Sequence, residues 1–309
     1  MSKICLCCGK PMIGEGIWHN RCVKRFFGGA SIPEISINDA IHEELASLSV
    51  ANGQTVTGVQ KKLSITLSVA SARKTVAYSG EYIVKTGDVG RPSLPEYEFV
   101  GMKMAEICGF KTVPNGLIYS KQGESIYISR RIDRVFEGGR LNQIAMEDFA
   151  QLSLTQTEYK YSGSYERCAK KVIERFSSTS YLDKIELFRM CFFSYIIGNT
   201  DMHLKNFSLI KGASGYSLAP FYDILPVLMV VNQQEMALTI NGKSQKLTRN
   251  DFLSFGSSIG LGKPLSEKLM GGIISKMPVM FDFLRCSPLP EESKNRLVSL
   301  IASRAERFL

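Results

Sequence analysis

The sequence has no hydrophobic run long enough to cross a lipid bilayer. Its longer apolar stretches, such as residues 225–231, fall far short of the roughly 18 to 20 residues that a membrane-spanning helix requires. The first residues, Met-Ser-Lys-Ile-Cys, also lack the apolar core of a secretory signal. We therefore expect a cytoplasmic protein rather than a membrane-bound or exported one.

Recognisable nucleic-acid-binding motifs are missing too. The net charge is +9 and the isoelectric point is near 9.1, which would suit contact with phosphate groups. The basic residues are scattered, however, apart from short pairs such as Lys61-Lys62 and Lys170-Lys171. We expect these side chains to be solvated, and we expect no direct contact with nucleic acid.

The cysteines do not follow the pattern of a disulfide scaffold. Four of the eight fall within the first 22 residues, and the other four stand singly, mostly in apolar patterns. A local cluster of this kind favours a metal site over disulfides, whereas isolated cysteines usually pack as small core residues. Residues 1–30 are therefore predicted to form a small Cys-rich cap.

Within this cap, two pairs of residues have the spacing of a zinc knuckle. A Cys-x2-Cys pair is followed by Gly9, which suits a tight turn, and a His-x2-Cys pair comes later. Together they would form a closed Cys3His structural zinc site, with Cys7 as a spare ligand. The alternative is a set of reduced cysteines in an apolar cap beside Trp18 and Phe26. The predicted zinc ligands are Cys5, Cys8, His19 and Cys22.

Composition and periodicity predict an α+β fold with two lobes. Hydrophobic residues make up 44% of the 309 residues and charged residues 22%, so a large buried core is expected. Short β-branched runs dominate the first part, and amphipathic helical segments follow. We predict a β-rich N-lobe over 31–140 and an α-helical C-lobe over 141–309. The predicted strands include 81–86, 116–119 and 125–132, and the predicted helices include 38–49, 96–108, 146–154, 164–176 and 181–197.

Five polar residues occur in the order that phosphoryl transfer requires. Lys85 lies near the end of a predicted strand, and Glu98 lies on the next predicted helix. Asp201 is followed five residues later by Asn206, and Asp223 comes 17 residues after that. In protein kinases a Glu holds the Lys that contacts the ATP phosphates, an Asp orients the attacking hydroxyl, and an Asn and a second Asp bind Mg²⁺.

Each of these residues alone has an ordinary explanation as a helix cap, a surface charge or a solvated lysine. Their joint order instead predicts an enzyme that uses ATP and Mg²⁺. Residues 207–219 could form a hairpin, which would bring the two metal ligands together. A bilobal, protein-kinase-like fold would accommodate the whole set.

Several segments resemble the HipA-like serine/threonine kinase toxins of type II toxin–antitoxin systems. The most specific are Asn-Thr-Asp-Met-His-Leu-Lys-Asn-Phe at 199–207 and Ala-Pro-Phe-Tyr-Asp at 219–223. Residues 55–62 resemble the family's phosphate loop, and residues 128–134 its hinge strand. Glu-Tyr-Glu at 96–98 resembles the start of its glutamate-bearing helix.

The resemblance implies roles for the matching positions in the catalytic loop. Asp201 would act on the substrate hydroxyl, and Asn206 and Asp223 would bind Mg²⁺. His203 and Lys205 would support the loop, the lysine by reaching the phosphates. A buried, hydrogen-bonded histidine is the equally acceptable alternative for His203.

For the nucleotide, the resemblance implies that Lys85 contacts ATP and that backbone groups at the hinge meet the adenine. An acidic residue just after the hinge would meet the ribose. The positions assigned to nucleotide binding are Thr57, Gly58, Val59, Gln60, Lys85, Glu98, Arg130, Ile132 and Asp133.

The chain departs from the family pattern in two ways. Full-length members carry a further N-terminal subdomain, whereas the phosphate loop here begins near residue 55. The short-toxin branch, whose missing part is a separate small protein, fits better. In addition, Thr55 and Thr57 stand where relatives carry autophosphorylated serines. A phosphate there would add about −1.5 to −2 charge, so autophosphorylation would oppose nucleotide binding.

The resemblance also implies a substrate and partners. The substrate class would be aminoacyl-tRNA synthetases, and the main partner would be an antitoxin with its own DNA-binding domain. Two alternatives remain open from the residues alone. One is a small-molecule or lipid phosphotransferase, and the other is a pseudokinase corepressor that acts by binding an antitoxin.

Overall fold

The computed structural model describes residues 3–33, 62–67, 75–76, 80–87, 90–91, 93–137, 140–226 and 234–309. The predicted helix at 38–49 and the phosphate-loop positions Thr55, Thr57, Gly58, Val59 and Gln60 lie outside these ranges. The chain divides into two compact units. The first comprises residues 1–103, 113–143 and 286–288, and the second comprises residues 104–112, 144–285 and 289–309.

The described strands of the first unit are β1 Lys62–Leu67, β2 Thr75–Val76, β3 Tyr82–Thr86, β4 Asn115–Tyr119, β5 Ser125–Arg130, β6 Arg134–Glu137 and β7 Arg140–Gln143, and its described helices are α1 Asn20–Phe27 and α2 Leu94–Ile107. Strands β1 to β5 form an antiparallel sheet in the order β2-β1-β3-β5-β4. Strands β6 and β7 then form a short hairpin. Helix α2 continues from the first unit into the second.

Strands β4 and β5 each contain four consecutive buried residues. Neighbouring residues of a strand point to opposite faces, so such a run means that both faces of the sheet are covered. This accounts for the consecutive apolar residues at 117–118 and 126–128 in the sequence. Strand β5 ends at Arg130, two residues earlier than the predicted strand.

The Cys-rich cap covers the edge strand β4. The Leu117 N–H donates to the Leu6 carbonyl at 2.8 Å, and the Trp18 indole N–H donates to the Leu117 carbonyl at 2.8 Å. The Tyr82 hydroxyl donates to the Phe26 carbonyl at 3.1 Å. An exposed strand edge invites pairing with other chains, so the cap satisfies backbone groups that the sheet itself leaves open.

The described elements of the second unit are β8 Met146–Asp148, α3 Phe149–Leu152, α4 Tyr165–Cys168, a π-helical segment Ala169–Ile173, α5 Glu174–Phe176, α6 Ser180–Ile197, β9 Ser208–Gly212, β10 Gly215–Leu218, α7 Arg249–Ser258, α8 Lys263–Ile274, α9 Met277–Cys286 and α10 Glu291–Glu306, with 3₁₀ turns at Thr157–Tyr159 and Leu204–Asn206. The unit is mainly helical, and its described strands form an antiparallel sheet in the order β10-β9-β8. The α+β fold, with a β-rich and a helical part, is thereby confirmed. No helix within the described ranges is both long and apolar enough to span a bilayer.

The single helix predicted at 146–154 is wrong. Residues 146–148 form strand β8, in which Met146 pairs with Ile210 and Asp148 pairs with Ser208. Helix α3 begins only after Asp148, whose side chain accepts from the N–H of Gln151 in a capping box. The long-range pairing with β9 overrides the helical pattern of the segment, because it satisfies the same backbone groups.

Helix α6 forms the centre of the second unit and delivers the chain to the candidate catalytic loop. Every residue from Leu187 to Ile197 except Arg189 is buried, so the helix is surrounded by protein. It ends at Gly198, which adopts φ of 77° and donates its N–H to the preceding turn. A left-handed residue at this position is favourable mainly for glycine. The loop therefore begins from a rigid, buried helix end.

The predicted hairpin after this loop is present. Strands β9 and β10 pair with Leu209 opposite Leu218, and the turn lies between Gly212 and Gly215. The carboxylate of Asp183, at the start of α6, accepts from the N–H of Leu218 at 2.8 Å. The hairpin is thus fastened to the helix that precedes the loop.

A substitution at Gly116 tests the contact between the cap and the edge strand. A Cβ atom at this position would overlap the Trp18 ring and lie 2.9 Å from the Leu6 carbonyl oxygen. We expect Gly116→Ala to lower the free energy of unfolding by about 1 to 3 kcal/mol, as overpacking does. Urea denaturation measures this, with Gly271→Ala as the control because its Cβ meets no atom within 4 Å. Equal stability of the two variants would contradict the described contact.

Candidate active site and metal cluster

The candidate base Asp201 lies in the second unit, four residues after the last residue of α6, Ile197. Its backbone carbonyl accepts from the Asn206 side-chain amide at 2.7 Å, and its Oδ1 accepts from the Tyr161 hydroxyl at 2.6 Å. Its side chain is 34% exposed. The carboxylate is therefore accessible, while its main chain and one of its oxygens are held in place.

Asn206 closes this loop as the last residue of a 3₁₀ turn, Leu204–Asn206. The bond to Asp201 uses the amide nitrogen, so the amide oxygen is the atom that Asn206 can offer to a cation. Carbonyl and carboxylate oxygens are the ligands that Mg²⁺ prefers. The orientation of the side chain therefore fits the metal-binding role expected from the sequence.

Asp223, the second expected metal ligand, has a backbone φ of 58°. Such left-handed conformations are uncommon for residues other than glycine and tend to cluster at functional sites. The preceding residue ties this segment to the loop, because the Tyr222 hydroxyl donates to the Lys205 carbonyl at 3.2 Å and bonds to the Ser208 hydroxyl at 2.7 Å. The chain segments that carry the two expected ligands are therefore neighbours.

The two supporting residues of the loop have distinct surroundings. Lys205 forms an ion pair with Asp148, the residue that caps α3, with an N–O distance of 2.9 Å. His203 is buried, and its ring Nε2 lies 4.0 Å from Oδ1 of Asp201. Burial lowers the pKa of His203, although the charge of Asp201 acts in the opposite direction. The imidazole is therefore a neutral group against which the loop packs.

Lys85 and Glu98 form a buried ion pair in the first unit. The Lys85 ammonium, on β3, lies 2.5 Å from Oε1 of Glu98, on α2. The two residues are only 4% and 1% exposed. Burying two charges is costly unless they are well paired, and here the helix carboxylate holds the strand lysine at a fixed place. This is the arrangement that phosphate binding by a kinase lysine requires.

The hinge positions lie at and after the end of β5. The N–H of Arg130 already donates to the Pro114 carbonyl at 2.8 Å. The carboxylate of Asp133 lies 2.7 Å from Arg131 and 2.6 Å from Arg134. Burial alone would raise the pKa of Asp133, but these arginines hold it below its usual value. Asp133 is thus a charged residue that is already bound by two arginines.

The four predicted zinc ligands of the cap converge. Their ligand atoms all lie within 4.8 Å of one another. The Nδ1 atom of His19 lies 3.5 Å from the sulfur of Cys8 and 3.9 Å from that of Cys22. The sulfur of Cys5 accepts a hydrogen bond from the backbone N–H of His19 at 3.3 Å. Tetrahedral zinc with Zn–S bonds of about 2.3 Å needs ligand separations of about 3.8 Å. The cluster has that size.

His19 and Cys7 differ in their relation to the cluster. The other ring nitrogen of His19 lies 3.0 Å from the Pro11 carbonyl oxygen, as is usual for a metal-bound histidine. Cys7 lies outside the group of four. Its thiol is buried, and burial raises the pKa of Cys7 to about 11. Cys7 is thus a buried thiol beside the group of four.

Sequence reasoning missed two residues that contact the loop. Tyr161 precedes Asp201 by 40 residues and Asp148 precedes Lys205 by 57. The spacing of a motif cannot indicate partners at such separations. Only the path of the chain through the second unit brings them to the loop.

Comparisons with known proteins identify the family to which the chain is similar. The sequence model of the HipA-like C-terminal domain matches residues 54–281. A putative kinase of Haemophilus influenzae is 26% identical over 254 residues, which cover 72% of this chain and 73% of the relative. The putative kinase Y4mE of Sinorhizobium fredii is 27% identical over 229 residues, which cover 70% of this chain and 53% of the relative. The chain thus spans only about half the length of that relative.

Two further comparisons concern named kinases. The serine/threonine-protein kinase toxin HipA of Shewanella oneidensis is 22% identical over 318 residues, which cover 91% of this chain and 72% of the relative. The structure of a Shewanella oneidensis HipA–HipB–operator DNA complex matches 90% of this chain and 73% of that chain, with a TM-score of 0.70 and 20% identity. The Helicobacter pylori kinase CtkA matches 80% of this chain and 93% of its own, with a TM-score of 0.57 and 17% identity. At these identities the structural matches show a shared fold.

Neutralising Glu98 tests the buried ion pair. We expect Glu98→Gln to lower the free energy of unfolding by about 3 kcal/mol or more, because the negative charge that compensates a buried ammonium is removed. The matched control is Glu267→Gln, which removes a carboxylate from the exposed pair with Arg249 and should cost less than about 1 kcal/mol. Chemical denaturation of both variants provides the measurement. If both variants lost the same free energy of unfolding, the burial of the Lys85–Glu98 pair would be contradicted.

Proposed function

The chain belongs to the family of HipA-like C-terminal domains, and we propose that it is an ATP-dependent serine/threonine protein kinase. The observation that carries the proposal is the closed loop in which the Asn206 amide binds the main chain of Asp201 at 2.7 Å. This bond fixes a candidate base five residues from a candidate metal ligand. The named relatives support the same activity.

The proposed reaction transfers the γ-phosphate of ATP to a serine or threonine hydroxyl of a protein. Asp201 accepts a hydrogen bond from that hydroxyl and orients its oxygen toward the γ-phosphorus. The bond from this oxygen to phosphorus forms, the bond to the β-phosphate oxygen breaks, and ADP leaves. The hydroxyl proton passes to the Asp201 carboxylate. Because phosphoryl transfer needs little covalent help from the protein, positioning by the loop is the main contribution.

Two oxygen-bearing side chains are proposed to hold Mg²⁺. The Asn206 amide oxygen and the Asp223 carboxylate serve as ligands, since the Asn206 amide nitrogen is committed to Asp201. When bound, Mg²⁺ neutralises charge on the ATP phosphates. His203 and Lys205 keep the loop in place through their contacts with Asp201 and Asp148.

The proposed contacts with ATP belong to the first unit. Lys85 binds the phosphates and Glu98 fixes its position. Backbone groups of Arg130 and Ile132 meet the adenine, and Asp133 meets the ribose. The Arg130 carbonyl is the group available for this contact, since its N–H is bound to Pro114. The remaining proposed contacts come from Thr57, Gly58, Val59 and Gln60.

The biological role that we propose is that of a cytoplasmic toxin neutralised by an antitoxin. The solved complex of HipA with HipB and operator DNA supports an antitoxin partner. An aminoacyl-tRNA synthetase is the proposed substrate, and a separate small protein is a proposed second partner. Autophosphorylation at Thr55 or Thr57 would add negative charge to the phosphate loop and so weaken ATP binding.

Zinc is the proposed structural metal of the cap. It is held by Cys5, Cys8, His19 and Cys22, whose ligand atoms already lie within 4.8 Å of one another. Because the cap also binds the edge strand β4 through Leu117, the metal would stabilise the sheet as well as the cap.

Comparison of the wild type with Asp201→Asn tests the kinase activity. With labelled ATP, Mg²⁺ and a cell lysate, the wild type should label a discrete protein, and the variant should be slower by at least about a hundredfold because it lacks the base. Circular dichroism checks that both are folded. Equal labelling by the two proteins would refute the proposed mechanism, and a labelled metabolite or lipid in place of protein would indicate a different phosphotransferase.

Metal analysis tests the zinc site. We expect one zinc per chain in wild-type protein expressed with zinc available, and loss of that zinc in Cys22→Ser. Cys7→Ser is the matched control, since it also removes a buried thiol of the cap but should retain the metal. Elemental analysis of all three proteins gives the answer. Less than one equivalent in the wild type, or equal zinc in the two variants, would rule out this ligand set.

A further inference from the structure

The hydroxyl of Tyr161 contacts the candidate base, although no motif includes it. It donates to Oδ1 of Asp201 at 2.6 Å, a length typical of a strong, charge-assisted hydrogen bond to a carboxylate. Its ring packs edge-on against His203, with the ring centroids 5.0 Å apart. Tyr161 therefore touches two residues of the catalytic loop at once.

The backbone on both sides of Tyr161 is fixed. The carbonyl of Lys160 accepts from the N–H of Leu204 at 3.1 Å, and the N–H of Ser162 donates to the Tyr159 carbonyl at 2.8 Å. The Lys160 ammonium also lies over the Tyr161 ring, 5.0 Å from its centroid. The fold thus aims this hydroxyl at Asp201, and the first of these bonds connects the two segments directly.

The Tyr161 hydroxyl keeps its proton. Partial burial of the hydroxyl, followed by its hydrogen bond to Asp201 and the charge of that carboxylate, raises the pKa of Tyr161 above the ordinary tyrosine value. A neutral phenol can donate a hydrogen bond, but it cannot take the proton of an attacking hydroxyl. Tyr161 therefore acts as a hydrogen-bond donor to Asp201 and not as a second base.

The two carboxylate oxygens of Asp201 have different contacts. Oδ1 accepts from Tyr161, whereas no side chain in the described part of the chain donates to Oδ2. We infer that Tyr161 is a positioning residue that turns the Asp201 carboxylate so that Oδ2 faces the hydroxyl to be phosphorylated. The inference rests on the proposed kinase function and adds a residue to it.

The same hydrogen bond between Tyr161 and Asp201 would also fit the opposite role, in which Tyr161 inhibits phosphate transfer. If the acceptor hydroxyl needed Oδ1, Tyr161 would occupy its place and block the site. A positioning residue speeds the chemical step, so its loss lowers kcat and leaves KM for the acceptor nearly constant. A blocking residue competes with the acceptor, so its loss lowers KM or raises the rate.

Kinetics of Tyr161→Phe distinguish the two, because this variant loses only the hydroxyl and keeps the ring against His203. Tyr159→Phe is the matched control. Tyr159 is two residues away and similarly exposed, at 56% against 46% for Tyr161, and its hydroxyl binds no described residue. The assay measures initial rates of phosphate transfer from labelled Mg-ATP to the chain itself and to increasing concentrations of a generic acceptor, myelin basic protein.

We expect Tyr161→Phe to lower kcat by about tenfold or more, the effect of losing a hydrogen bond to a charged group. KM for the acceptor should stay within about twofold, and Tyr159→Phe should match the wild type in both constants. A kcat equal to that of the wild type overturns the inference, as does a faster rate or a lower KM. A wild type no faster than Asp201→Asn would instead show that the proposed function has failed, and the inference would fail with it.

Discussion

The candidate active site depends on one hydrogen bond within a short loop. The Asn206 side chain binds the main-chain carbonyl of Asp201, so a five-residue spacing in the sequence becomes a fixed distance in space. The loop is also fixed at both ends. Helix α6 ends beneath it at Gly198, and strand β9 begins at Ser208. Inserting or deleting a residue between Asp201 and Asn206 would break the bond, and the candidate base and metal ligand would then no longer be held together.

In the first unit, a buried ion pair fixes the position of the charged residue Lys85. Lys85 is held by a buried carboxylate on an adjacent helix rather than by a loop, and the sheet that carries Lys85 is covered at its edge by the cap. The backbone bonds of Leu117 and the close approach of Trp18 to Gly116 make the cap part of this unit. A metal in the cap would thus act on the stability of the whole first unit.

Much of the fold and of the candidate site could be predicted from the sequence, because the informative residues are close together in the chain. The Asp201–Asn206 spacing, the hairpin that follows and the Cys3His pairs each depend on separations of a few residues. The strand at Met146–Asp148 could not be predicted, because its partner Ser208–Gly212 lies about sixty residues later. For the same reason Tyr161 carried no signal, since it precedes Asp201 by 40 residues. The ion pairs of Asp133 join it to near neighbours in the chain, Arg131 and Arg134, but an acidic residue at this position suits a ribose contact equally well. Autophosphorylation of Thr55 or Thr57 stays a prediction, because both residues lie outside the described part of the chain.

We propose that the loop around Asp201 transfers the γ-phosphate of ATP to a protein hydroxyl. The most direct measurement is the stoichiometry of the reaction, in which the ADP released is compared with the phosphate recovered as phosphoserine and phosphothreonine. We expect one phosphate ester for each ADP, with inorganic phosphate near background. ADP accompanied by an equal amount of inorganic phosphate, or no ADP at all in the presence of protein acceptors, would contradict it.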